Sequence, residues 1–312
     1  MPTREDRLAG GLMGLLIGDA LGVPYEFNPP ETIPPLGQIE FTPPVGFERA
    51  HMGTPPGTWS DDGAQALCLL VSLLDCGRFD AEDFGRRLVR WRDDGYLAVD
   101  ERVFDVGIQT QQAISRLHAG TPALAAGSTE EQALGNGSLM RVLPLALWHR
   151  GTDADLVADA RAQSRVTHGH LRAQLCCALY YLWARRILNE VADPWTAAVY
   201  SLRTLSPSVF PERAELDNHI RPDAPPAGYG RGYVVDALHS ARLAVARGDY
   251  ETAVRAAIAL GNDTDTTACL AGGIAGLRDG IEAIPQRWRD GLRGTELYAP
   301  LLERLLARDT GR

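Results

Sequence analysis

The 312-residue chain has no lysine; all 31 basic residues are arginine. Schiff-base catalysis and a P-loop are therefore excluded, since both need a lysine amine. No cluster of arginines stands out either, and the formal net charge is -9, which argues against nucleic acid as a primary partner. Cysteine is sparse: Cys68, Cys76, Cys176, Cys177 and Cys269 make an odd five, and none forms a C-x-x-C pair. Buried free thiols in a reducing cytosol fit that pattern. No uninterrupted apolar run reaches membrane length. Residues 8–23 come nearest, but they carry Asp19 and five glycines and follow a charged start, so neither a signal peptide nor a span is expected. Strand alternation, a G-x-G-x-x-G turn and a fixed-period repeat are all missing. A long heptad seam is missing too, so the expectation is a cytoplasmic protein, monomeric by default.

What the chain does have is helical periodicity. Thr3 and Asp6 form a helix-start box, followed by Leu8, Leu12, Leu15 and Leu16 at helical spacing. Ser60 caps a second helix, in which Leu67, Leu70, Val71 and Leu74 repeat on one face. Further helices are predicted over 81–93, 106–118, 137–150, 153–163, 171–191, 234–247, 250–260 and 264–278, with a short one near 301–308. Long Pro/Gly-rich stretches at 28–57 and 205–232 read as loops, and loops of that length are usually functional or packed over a site. The class is all-α: a single domain over 1–312, a compact orthogonal helical bundle with long Pro/Gly-rich loops.

The last long helix is unusual. Ala268, Ala271, Gly272, Gly273, Ala275 and Gly276 give it poor intrinsic propensity, because each glycine costs about 1 kcal/mol relative to alanine. Such a helix holds only when neighbours press close on it, so it should be central and buried. Its N-terminus carries Asp263, Asp265 and Thr266, hard oxygen donors of the kind Mg²⁺ or Mn²⁺ requires.

Two other acidic spots lie where a loop meets a helix: Glu26, and Asp61 with Asp62 after Ser60. Singly, each has a plain explanation as a cap or a solvated loop residue. Gathered in one place they would repel strongly, and a divalent cation is the simplest neutraliser. Gly135-Asn136-Gly137-Ser138 offers backbone N–H groups at a predicted helix start, as a diphosphate would need, although an Asn-Gly turn with a serine cap has the same composition. Thr167-His168-Gly169-His170 lacks the partners of a zinc site, so contact with a ligand suits one of these histidines better. No histidine precedes an aspartate, which excludes the His-Asp type of phosphohydrolase. Gln65 and Leu97 stand where an Asp-Asp-x-x-Asp prenyl synthase motif needs its third acid.

Taken in order, Gly18-Asp19-Ala20-Leu21-Gly22 with Glu26, Trp59-Ser60-Asp61-Asp62, Asp105-x-Gly107, Gly135-Asn136-Gly137-Ser138-x-Met140-Arg141, Thr167-His168 and Gly261-Asn262-Asp263-Thr264-Asp265-Thr266 resemble the ADP-ribosylglycohydrolases. The resemblance spans roughly residues 8–280. It implies a binuclear site for two divalent cations, Mg²⁺ or Mn²⁺, with Ser60, Asp61 and Asp62 on one side and Asp263, Asp265 and Thr266 on the other. It implies Glu26 as an acid/base or gate beside the metals, Asp61 and Asp105 in catalysis, and Asp105 with Gly107 in a loop over the scissile ribose. Asn136, Gly137, Ser138, Met140 and His168 fall on the substrate side. The implied reaction is hydrolysis of the bond between ADP-ribose and an acceptor, an arginine or serine side chain or a related conjugate, with an ADP-ribosylated protein as the partner. Nucleic acid would enter only as a modified substrate. The alternative is a non-catalytic ADP-ribose-binding or structural member of the same scaffold; the matched acidic positions, all present, favour the enzyme.

Overall fold

The computed structural model describes residues 1–205 and 211–309. Among them there is no strand, only two isolated β-bridges, Ser128 with His168 and Gly135 with Tyr233. The helices in order are α1 (Arg4–Gly22), α2 (Asp61–Cys76), α3 (Ala81–Asp94), α4 (Ile108–His118), α5 (Ala123–Ala126), α6 (Leu143–Trp148), α7 (Asp153–Arg165) and α8 (Leu171–Leu188). They continue as α9 (Pro194–Leu205), α10 (Glu212–Ala214, running into a π-helical stretch Glu215–Ile220), α11 (Val234–Val245), α12 (Tyr250–Ile258), α13 (Thr264–Asp279), α14 (Gln286–Gly291) and α15 (Thr295–Asp309). The all-α class is as expected.

The centre is the antiparallel pair α1 and α13. Gly10, Gly14, Gly18 and Gly22 recur every fourth residue on one face of α1. A β-carbon at Gly10 would lie 2.3 Å from the Gly276 carbonyl oxygen, at Gly14 2.4 Å from that of Gly272, and at Gly18 2.1 Å from that of Ala268. Backbone therefore meets backbone along the seam, and only hydrogen atoms fit between. Every residue of α13 from Thr264 to Leu277 is buried. The glycines that weaken it as an isolated helix are thus what allows α1 to reach it. By length and apolarity alone α1 could cross a membrane, at mean hydropathy 1.4, yet that stretch is wholly buried inside the bundle. Around this pair pack α8, α11 and α12. The Tyr250 hydroxyl of α12 donates to the Gly14 carbonyl at 3.0 Å, and Tyr180 of α8 donates to the Leu270 carbonyl at 2.8 Å.

Local signals set most helix ends. Thr3 and Asp6 form the expected reciprocal box at the start of α1. Gly77 and Gly95, with φ of 66° and 68°, end α2 and α3 in the left-handed conformation that glycine tolerates. Where the structure departs from the sequence reading, proline is often the cause. The helix expected over 137–150 is confined to α6, because Pro144 has no N–H to donate and must stand in a first turn, so 137–141 form turns. The terminal helix begins at Thr295 and carries Pro300 inside it. The helices α9 and α14 had no sequence-level signal strong enough to name. The loop expected over 205–232 contains α10, and its residues 206–210 lie outside the described residues. The loop 28–57 holds only short 3₁₀ turns, Pro30–Thr32 and Leu36–Gln38.

Candidate active site

Three chain ends converge at one end of the α1–α13 seam: the C-terminus of α1 and the N-termini of α2 and α13. Asp19, on the last turn of α1, anchors the junction. Its carboxylate accepts the Ser60 N–H at 2.9 Å and the Gly63 N–H at 2.7 Å, so it caps α2 from another helix. Burial pushes its carboxyl up to about 7 while these bonds pull it down. The Ser60 hydroxyl accepts the Asp62 N–H at 3.3 Å.

The acids from the two halves of the chain meet here. Thr266 Oγ1 donates to Asp62 Oδ1 at 3.4 Å, although 204 positions separate them. Asp61 Oδ2 accepts from Gln65 Nε2 at 2.7 Å, and Asp263 Oδ2 accepts from Asn136 Nδ2 at 2.8 Å. Asp265 Oδ1 takes the Thr266 N–H at 2.9 Å. One oxygen of Asp62 and one of Asp265, both Oδ2, are buried with no hydrogen-bond partner among the described residues. Burial, then the neighbouring carboxylates, hold Asp61, Asp62 and Asp265 well above the usual carboxylate range. A buried acid cluster relieves such repulsion by taking up protons or a cation.

Glu26 joins the cluster through a short backbone pairing, in which the Phe27 N–H donates to the Asn262 carbonyl and the Asn262 N–H to the Asn28 carbonyl, both at 2.7 Å. Carboxylate oxygens of Glu26, Asp263 and Asp265 all lie within 4.8 Å of one another. The same holds for ligand atoms of Glu26, His51 and Asp105. His51 comes from the 28–57 loop. Its Nε2 contacts Glu26 Oε2, and its ring sits between Phe27 and Phe104 at centroid distances of 5.6 and 5.0 Å. Burial and then Asp105 push Glu26 up to about 11, while burial and then Asp263 push Asp105 up to about 6. Sequence reading had no signal for His51, since an isolated histidine in a proline-rich loop has no periodicity or spacing to mark it.

The opposite wall is the Gly135–Gly137 turn with Gln109 and His168. The Asn136 N–H donates to the Gly232 carbonyl at 3.1 Å, which draws the end of the second long loop into the wall. Gly137 must be glycine, since a β-carbon there would lie 2.9 Å from His168 Cε1. Gln109 accepts the Gly135 N–H at 2.7 Å, and its buried Nε2 has no partner among the described residues. This residue too was not found from the sequence. The His168 Nδ1 is 2.8 Å from the Thr167 hydroxyl. Burial and then Arg141 push its imidazole down to about 3, so it is neutral.

These groups enclose a pocket of about 430 Å³. Of the residues expected at the site, Glu26, Asp61, Asp62, Asp105, Gly107, Asn136, Gly137, Met140, His168, Asp263 and Thr266 line it. Ser60 and Asp265 support the acid cluster without lining the pocket. Ser138 does not face the pocket at all. Its buried hydroxyl lies 2.9 Å from Ser164 Oγ and 3.5 Å from Cys177 Sγ, so its side chain belongs to the core. The Asn136 side chain is also redirected: its amide steadies Asp263. Oxygen-only donors, two of them with unpartnered buried atoms, fit a hard divalent cation.

Against known proteins, the ADP-ribosylglycohydrolase family model matches residues 1–312. ADP-ribosylarginine hydrolase Tri1 of Serratia proteamaculans is 30% identical over 305 residues, covering 96% of this chain and 79% of that protein. The ADP-ribosyl-[dinitrogen reductase] glycohydrolase of Rhodospirillum rubrum is 28% identical, covering 92% and 90%. A solved ADP-ribosylglycohydrolase-related protein complex superposes with a TM-score of 0.75 at 34% identity, covering 97% of both chains. With its motifs gathered in one pocket and its whole length matched, the chain belongs to the ADP-ribosylglycohydrolase family of glycosyl-bond hydrolases.

Proposed function

We propose that this enzyme hydrolyses the N-glycosidic bond between ADP-ribose and an arginine side chain, using two divalent cations, Mg²⁺ or Mn²⁺. The observation that carries the reading is the meeting of Asp62 with Thr266, and beside it two carboxylate oxygens buried without partners. Asp61, Asp62, Asp263 and Asp265 would hold the cations, with Ser60 and Thr266 beside them. Bound cations would supply Lewis acidity toward the ribose hydroxyls and toward water.

The protein's own groups supply the rest. Loss of the guanidine leaves an oxocarbenium-like anomeric carbon, which the carboxylates of the pocket floor stabilise. Glu26, buried and held by His51, gives its proton to the departing nitrogen. Asp105, half-buried in the pocket lining, takes a proton from the attacking water. The Gly135–Gly137 turn and His168 orient the ADP-ribose. An arginine acceptor is favoured by the Serratia relative and by the chemistry of the mouth, where acids would meet a guanidinium. Five cysteines without a disulfide suit a reducing compartment, and we place the enzyme in the cytoplasm as a single domain.

Arginine-, serine- and base-linked ADP-ribose conjugates, each incubated with and without divalent cation, test the reading. Release of ADP-ribose from the arginine conjugate, abolished by chelation and restored by Mg²⁺ or Mn²⁺, is expected. Undiminished turnover under chelation would remove the metal role, and preferential cleavage of the serine conjugate would overturn the acceptor.

A further inference from the structure

Arg141 is fully buried, yet none of its hydrogen bonds goes to a carboxylate. Nη1 donates to Gln65 Oε1 at 2.8 Å, Nε to Gln163 Oε1 at 3.2 Å, and Nη2 to the Gln163 carbonyl at 3.2 Å and to Thr167 Oγ1 at 2.7 Å. The far end of Gln65 donates to Asp61 Oδ2 at 2.7 Å, and Thr167 Oγ1 is 2.8 Å from His168 Nδ1. An unbroken chain, Asp61–Gln65–Arg141–Thr167–His168, therefore runs behind the pocket from its acidic floor to its opposite wall.

The hydrogens along this chain bear on the state of the histidine. Thr167 Oγ1 accepts from Arg141, and its single hydrogen has no acceptor among the described residues other than His168 Nδ1. A buried hydroxyl that failed to donate would be left unsatisfied. With Nδ1 as the acceptor the hydroxyl is satisfied, and that arrangement puts the ring proton on Nε2. That nitrogen has no partner among the described residues and belongs to a ring that lines the pocket. Among the described residues no arginine lines the pocket, so away from the acid cluster the protein offers an oxygen-rich ligand neutral donors.

We propose that Arg141 and Thr167 are positioning residues that fix His168 as its Nε2–H tautomer, so that this nitrogen donates a hydrogen bond to an acceptor oxygen of the ADP-ribose moiety. The proposal rests on the function proposed above. It assigns the buried guanidinium a purpose: through one hydroxyl it polarises a donor that it never exposes to the ligand, while through Gln65 it orients an acid on the other wall.

The test combines long-range ¹H–¹⁵N spectra of the histidine rings, calorimetry with ADP-ribose, and kinetics on ADP-ribosyl-arginine. His168→Gln assigns the signal by its disappearance. Wild type is expected to show the Nε2–H tautomer. In Thr167→Val the tautomers should mix, with Kd for ADP-ribose and KM raised about tenfold and kcat changed far less; Thr167→Ser should restore both. An Nδ1–H signal in wild type, an unshifted tautomer and KM in Thr167→Val, or no rescue by serine overturns the proposal. Should the valine variant not fold, Thr167→Ala and the wild-type spectrum decide. A wild type that hydrolyses no conjugate would refute the proposed function alone, since spectra and calorimetry still read the relay.

Discussion

Gly22, the last residue of α1, lies so close to Asp265 in the first turn of α13 that a β-carbon on it would stand 2.3 Å from the Asp265 Cα. The Thr264 hydroxyl donates to the Gly22 carbonyl at 2.8 Å, which fastens the same contact. The position of an acid of the buried cluster is thereby set by the absence of a side chain on another helix. The seam of small residues and the site are one construction: the first brings the N-terminus of α13 beside the C-terminus of α1, and the second is what stands there.

Filling that seam should unfold the protein before it alters chemistry. Gly14→Ala drives a methyl to within 2.4 Å of the Gly272 carbonyl, a contact no side-chain rotation can relieve. It is expected to cost at least about 2 kcal/mol in urea unfolding. Gly37→Ala, where nothing lies within 4 Å, should change stability by less than about 0.5 kcal/mol. Equal stability of the two variants would refute the close seam.

Cation binding should appear as stability. With Mg²⁺ or Mn²⁺ at a hundred times its Kd, the folded state should gain about 2.7 kcal/mol, read as a rise in Tm. Asp62→Ala should lose most of that rise and lower kcat/KM at least about a hundredfold. Cation-free Asp265→Asn should be no less stable than cation-free wild type, because it replaces an acid whose ionisation burial and neighbouring carboxylates oppose. A large destabilisation would show that the acids are held by something other than a cation.

His51 should matter through Glu26. Glu26→Gln is expected to lower kcat by about 10²- to 10⁴-fold, as for loss of a general acid. His51→Ala should lower it about tenfold, and in the double variant the two losses should fail to add, since the His51 ring and the Glu26 carboxyl touch. Full additivity would separate them.

The neutral His168 makes a pH signature with a defined sign. Its folded value of about 3 lies below the ordinary 6.5, so between those limits the unfolded chain binds the extra proton and stability rises with pH. From pH 7.5 down to pH 5 this one group should remove about 2 kcal/mol. His168→Gln should flatten that part of the curve relative to wild type in paired urea titrations. Parallel curves would mean the ring is protonated in the folded protein.

Sequence patterns did well where physics is local. The Thr3–Asp6 box, the Ser60 cap and leucine spacing placed α1 and α2, and the acids at helix starts were visible because they stand beside helix caps. The Gly135–Gly137 turn was visible as composition, but not the redirection of its side chains: Asn136 serves Asp263, and Ser138 enters the core. His51, Gln109 and the Arg141 chain were invisible, because each acquires its meaning from a partner 25 or more positions away.

The amino-acid order by itself determined an all-helical protein with acids at several helix termini, and a small-residue helix that could exist only under pressure from neighbours. Which termini meet was decided by the tertiary structure. Glycines on α1 and α13 let two backbones touch, and that closeness carries Asp62, Asp263 and Asp265 into a single buried cluster. Hydrogen bonds and charges act over a few ångströms, whereas the residues they join lie up to 204 positions apart. No reading of spacing along the chain can supply that distance; packing does.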